Sequence, residues 1–141
     1  MTEDKIRAAR GLNPATLAFL GDAVYELYIR ERLTADGARQ AETLHNEAVR
    51  YVCASYQARL FEVFMEELPQ EERDILKRGR NAKTARVPKH STPNEYRKAT
   101  GVETLFGYLK ISDQTERLNL LLDRAFNFLE EENKNESKDV F

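Results

Sequence analysis

Residues 13–33 read NPATLAFLGDAVYELYIRERL, and the way this stretch lies in a fold decides the rest of the reading. Asn13-Pro14 marks a helix start: the Asn side chain caps the first turn, and proline takes the first helical position, where no amide hydrogen is needed. The spacing predicts one long helix from about Pro14 to Arg32. Leu17, Leu20, Val24, Leu27 and Tyr28 fall on one face at intervals of three and four, while Phe19 and Ile29 fall on the opposite side. A helix that is apolar on both sides is expected to be buried on both. Asp22 and Glu26 share the Phe19–Ile29 side, so burial there takes two carboxylates with it. Such groups are tolerated inside only with a cation, a metal or strong donors. An ordinary solvated acid is the simpler account of a helical Asp. Gly21 counts against it, because glycine in a helix costs ~1 kcal/mol relative to alanine and marks close approach by another backbone or a ligand.

The flanking sequence is helical too. Residues 3–10 form a short helix ended by Gly11, and Asp36-Gly37 turns the chain after the long one. Apolar residues at helical spacing run from Arg39 to Leu68, as one helix or two, closed by Pro69. Residues 70–78 place acids first and bases last, which suits the helix dipole, with Gly79 as terminator. Residues 79–91 lack an apolar period and read as a loop. Thr92-Pro93-Asn94-Glu95 is a capping box opening a helix that carries Ala99, Val102, Phe106 and Leu109. A second box, Asp113 to Glu116, starts the last helix, through Leu129. From Glu132 onward the composition is polar and reads as a disordered tail, 132–141, after a single domain, 1–131.

Composition bounds the possibilities. The 141 residues suit one all-α domain, with 41% hydrophobic residues for its core. Twenty-two Lys and Arg against 24 Asp and Glu give a net charge of −2, so nucleic-acid binding has to come from a local patch. One cysteine, Cys53, excludes a disulfide framework or a cysteine zinc site, and it reads as a small core residue. His45 and His90 are too far apart in sequence to suggest a histidine metal site. No apolar run suits a membrane span and no leader opens the chain, so the expected location is cytoplasmic, with no membrane partner.

Two further features depart from a plain helical bundle. Glu103, in GVETLFGYL, sits beside core residues between two helix-interior glycines, Gly101 and Gly107. Alone it is a boundary salt bridge; with Asp22 it makes two acids on two core helices, a pattern able to hold a hard cation such as Mg²⁺. The second feature is charge. Lys77, Arg78, Arg80, Lys83, Arg86, Lys89, Arg97 and Lys98 are interrupted only by Glu95, so residues 77–98 carry +7 and the rest of the chain −9. A solvated loop is the plain explanation. The single sign, and the company of Asn81, Thr84, Ser91 and Thr92, favour phosphate binding.

LAFLGDAVYEL resembles the helix motif of the ribonuclease III catalytic domain, and GVETLFGYL resembles that family's second acidic motif. NPATLAFLGDAVYELYIRERL, then RGRNAK, then EYRKATGVETLFGYL, is similar to its short subgroup, the Mini-ribonuclease III proteins, over about residues 12–130. The resemblance implies an all-helical, homodimeric endoribonuclease that cuts double-stranded RNA with Mg²⁺ and has no double-stranded-RNA-binding domain. For the subgroup it implies maturation of precursor 23S ribosomal RNA at its paired 5′ and 3′ ends, with a ribosomal-protein helper as a further candidate partner. Catalytic and metal-binding roles carry over to Asp22 and Glu103. Two acids of the larger enzymes fall on Ala18 and Thr100, so their place is taken by water or by Glu26. The expected RNA-binding residues are Lys77, Arg78, Arg80, Asn81, Lys83, Arg86, Lys89, Arg97 and Lys98, and the dimer contact is Phe19.

Three other functions fit parts of the sequence. A non-catalytic RNA-binding or ribosome-assembly protein on a degenerate fold would explain the two missing acids. A helical DNA-binding regulator needs an exposed basic recognition helix, whereas the bases here lie mainly in a loop. A Mg²⁺-dependent nucleotide hydrolase needs several acids close together on one helix, and GDAVYE offers only Asp22 and Glu26.

Overall fold

The computed structural model describes residues 2–35, 37, 39–82 and 92–139. Among the described residues every regular element is a helix: α1 (Thr2–Arg10), α2 (Pro14–Thr34), α3 (Ala41–Val52), α4 (Ala54–Glu67), α5 (Gln70–Arg80), α6 (Pro93–Ile111) and α7 (Thr115–Asp139). No helix there is long and apolar enough to cross a membrane.

Local chemistry set the starts as expected. The Asn13 side chain accepts from the Ala15 N–H at 2.9 Å, and Pro14 opens α2. At α6 the full capping box forms, with the Glu95 N–H donating to Thr92 Oγ1 at 3.1 Å. The stretch 39–68 is two helices, because Cys53 is extended and ends one while starting the next.

Helix α6 is the central element. From Ala99 to Leu109 every residue except Glu103 is buried, and α2, α4 and α5 surround it. Tyr25 stacks on Phe106 with ring centroids 5.3 Å apart, and Phe64 meets the same ring edge-on. Two buried hydroxyls are satisfied by backbone carbonyls: that of Thr104 donates to Thr100 one turn back at 2.7 Å, and that of Tyr25 to Tyr51 of α3 at 2.8 Å.

Several expectations need correction. The buried ridge of α2 is Leu17, Gly21, Tyr25, Ile29 and Leu33, at intervals of four. Leu27, expected in the core, is exposed, and Phe19 is 85% exposed. The reason is Gly21: a Cβ there would lie 1.7 Å from the Glu103 carbonyl oxygen, so α6 presses against the glycine ridge. Gly79 does not end α5, which continues to Arg80. Its missing side chain admits Thr104 Oγ1 and the Gly101 backbone, so the residue is a helix contact. Asp113 does not cap α7. It has a left-handed φ of 56° and closes α6, the Gln114 N–H reaching back to the Leu109 carbonyl at 3.0 Å. Finally, the polar stretch from Glu132, read as a tail, is helical to Asp139, and residues 140–141 lie outside the described residues. The stretch has no glycine or proline to stop it, and Arg59 holds Glu132 at 2.7 Å.

Candidate active site

Two helix-interior glycines build the site. Gly21 of α2 lies against the Glu103 carbonyl, and a Cβ on Gly107 of α6 would stand 1.9 Å from the Leu17 carbonyl. Each helix has a notch where the other has backbone. This close crossing brings Asp22, next to Gly21, alongside Glu103. The two acids share an open cleft of about 310 Å³ with Ala15, Ala18, Phe19, Tyr96 and Thr100.

The electrostatics are those of an unneutralised acid pair. Burial first, then repulsion by Asp22, a hydrogen bond with Asp22 and the charge of Glu26 push the Glu103 carboxyl from 4.5 up to about 9. Among the described residues no Lys or Arg forms an ion pair with Asp22, Glu26 or Glu103. The expected burial of Asp22 and Glu26 does not occur, for Asp22 is exposed and Glu26 and Glu103 are half-buried; the buried acid Glu72 is neutralised by both arms of Arg117, at 2.8 and 2.6 Å. The cleft carboxylates therefore have room and charge for an external cation. Among the described residues no group of three or more His, Cys, Asp or Glu is placed to hold a metal, and the cleft offers two carboxylates. That suits a hard ion such as Mg²⁺, which is commonly held by one or two carboxylates and keeps several waters.

Ala18 and Thr100, where the larger enzymes of the resembled family carry acids, both line this cleft. Thr100 donates its hydroxyl to the Tyr96 carbonyl at 3.0 Å, and Ala18 is buried. Glu26 does not face the cleft. It lines the neighbouring crease between α2 and α3, with Ile29, Arg30, His45, Ala48, Val49 and Val52, and reaches Glu103 through its charge alone.

The basic residues divide. Arg78 donates to the carbonyls of Arg10 and Leu12, at 2.9 and 3.4 Å, tying α5 to the α1–α2 turn. Lys98 pairs with Glu62 at 2.5 Å. Arg80 bonds Asn81 and lies over the Phe61 ring. Lys77 and Arg97 have no ion-pair partner among the described residues, and Arg97 is exposed. Lys83, Arg86 and Lys89 lie outside the described residues. Phe19, Ala23 and Leu27 are all exposed along one line of α2, with Phe19 also at the edge of the cleft. Sequence reasoning passed over Tyr96 as a lining residue; its spacing of four and seven from Thr100 and Glu103 was the available signal.

Residues 15–114 match the ribonuclease III domain family, a span that contains the whole lining of the cleft. The Mini-ribonuclease 3 of Symbiobacterium thermophilum is 46% identical over 119 residues, covering 84% of this chain and 92% of the relative. That of Brevibacillus brevis is 42% identical over 130 residues, or 92% and 97% of the two chains. A crystal structure of a Fusobacterium nucleatum protein superposes with a TM-score of 0.75 at 30% identity, over 84% of this chain and 94% of that one. Likeness of this extent in sequence and in helical architecture establishes that the chain belongs to the ribonuclease III family of endoribonucleases, beside the Mini-ribonuclease 3 proteins.

Proposed function

We propose that the chain is a Mg²⁺-dependent, homodimeric endonuclease for double-stranded RNA, and that its substrate is the paired-end stem of precursor 23S ribosomal RNA in the cytoplasm. The observation that carries the chemistry is the Asp22–Glu103 pair: two carboxylates in an open cleft, with no cation paired to them among the described residues. Family kinship supports the substrate class and the general use of a divalent metal, and likeness to the Mini-ribonuclease 3 proteins supports the ribosomal precursor.

Asp22 and Glu103 would hold the ion. When bound, it supplies charge neutralisation at the phosphate and a more acidic water for attack on phosphorus, with the 3′ oxygen leaving. Before that, the Glu103 carboxyl has to release its proton, since at neutral pH it holds one when no cation is present. The neutral wall of Ala15, Ala18 and Thr100 lets a phosphodiester approach without repulsion from further acids. Arg97 and Lys77, with Arg78, Arg80, Asn81, Lys98 and, outside the described residues, Lys83, Arg86 and Lys89, would hold phosphates along the A-form duplex, which is read mostly by shape. The exposed Phe19–Ala23–Leu27 line supports the dimer, because an 85% exposed Phe among other apolar residues marks a partner surface. A two-fold pair would present one cleft to each strand.

The test is a panel of duplex RNA, duplex DNA and nucleoside triphosphates, each with Mg²⁺ or EDTA. Cutting of duplex RNA alone, and only with Mg²⁺, is expected. Cutting unaffected by EDTA would overturn the metal assignment, and triphosphate hydrolysis the substrate class.

A further inference from the structure

Resting on that reading of the cleft, we propose that Tyr96 positions the RNA strand by a hydrogen bond between its Oη and a ribose 2′-hydroxyl beside the scissile phosphate. Tyr96, Thr100 and Glu103 lie at intervals of four and three, on one side of α6, and all three line the cleft. Seven residues of helix separate the Tyr96 and Glu103 backbones by about 10 Å along the axis, and both side chains line the one cleft, so a strand lying in it passes both.

The remaining lining narrows the choice of group. Ala15, Ala18 and Phe19 offer no polar side-chain atom, and Asp22 and Glu103 are claimed by the cation. The Thr100 hydroxyl already donates to the Tyr96 carbonyl. Tyr96 Oη, like that of Tyr51 on another face, makes no hydrogen bond among the described residues, whereas the hydroxyls of Tyr25, Tyr28, Tyr56 and Tyr108 bond to the protein. Among the described residues that line the cleft it is thus the one uncommitted side-chain donor. A phenol is neutral and both donates and accepts, which matches a 2′-hydroxyl; phosphate oxygens favour charged donors. The ribose hydroxyls of an A-form duplex stand in its wide, shallow minor groove, where a protein can reach them.

Single-turnover rates and kcat/KM are measured for wild type and Tyr96→Phe, on an all-RNA duplex and on duplexes with one 2′-deoxy nucleotide on either side of the cut. Phe keeps the ring, and an unchanged melting temperature confirms the fold. Tyr96→Phe should slow cutting of all-RNA about 3- to 10-fold, the effect of one neutral hydrogen bond. One of the two deoxy substitutions should slow wild type by the same factor and leave Tyr96→Phe unaffected. Additive losses would assign the hydroxyl to another atom, such as a phosphate oxygen, and overturn the proposal, as would wild-type cutting by Tyr96→Phe. If Asp22→Asn also cuts normally, the reading of the cleft itself has failed. If Asp22→Asn is inactive, only the role of Tyr96 is lost.

Discussion

Gly21→Ala adds a single methyl group at the closest point between α2 and α6. Considered as a helix residue alone, alanine should stabilise by ~1 kcal/mol. The contact reverses the sign. The new Cβ would stand 1.7 Å from the Glu103 carbonyl oxygen and 2.8 Å from the Gly107 nitrogen, where ordinary contact begins near 3.4 Å. The obstacles are backbone atoms of a buried helix, so no side chain can swing aside. The two helices have to part, loosening Leu17, Tyr25 and Phe106, all fully buried. Overpacking of this kind costs about 1–3 kcal/mol, and lost core contacts add to it. A net destabilisation of about 3 kcal/mol is expected, which lowers the urea midpoint by roughly 1.5 M at a slope near 2 kcal/mol/M. Parting the helices also separates Asp22 from Glu103, so cutting should fall even where the protein is fully folded. Gly11→Ala is the control, because its Cβ would meet the Ala8 and Arg7 carbonyls at 3.5 and 4.0 Å, ordinary contact distances. A Gly21→Ala midpoint at or above that of wild type would refute the interlocking-glycine account of the site.

Two further outcomes follow from the same geometry. Phe19→Arg should leave the helical signal intact, because the ring is 85% exposed, yet halve the mass seen by sedimentation; a wild-type monomer at micromolar concentration would remove the dimer. Glu103 has a folded pKa of about 9 against the ordinary 4.5, so protonation favours the folded state, and that stability is lost as pH rises from 4.5 towards 9. In EDTA the wild-type melting temperature should fall across this window more steeply than that of Glu103→Gln; equal slopes would mean that the carboxyl is not held up.

What was legible in the sequence was local. Asn13-Pro14 and Thr92-Pro93-Asn94-Glu95 carry their capping partners within three residues, and both formed as read. Asp22 and Glu103 stood out because each sits beside a helix-interior glycine, and the cleft brings them together. The misreadings needed knowledge of the neighbour. Periodicity gave α2 two apolar faces, and only the approach of α6 onto Gly21 selects the ridge through Tyr25 and Ile29. Gly79 reads as a stop signal until Thr104 is seen against it. Tyr96 was hidden because an aromatic at helical spacing ordinarily means core.

The central claim is that Asp22 acts through a bound cation while RNA affinity comes from Lys and Arg. Asp22→Asn keeps the shape beside Gly21 and removes a charge that opposes ionisation of the Glu103 carboxyl, so the fold should hold. The measurement is the single-turnover cutting rate of Asp22→Asn in Mg²⁺, beside its binding isotherm on the same duplex RNA. Cutting reduced by orders of magnitude, with binding near that of wild type, is the result predicted. Near-normal cutting would contradict the site, and binding lost in step with cutting would make Asp22 a structural residue.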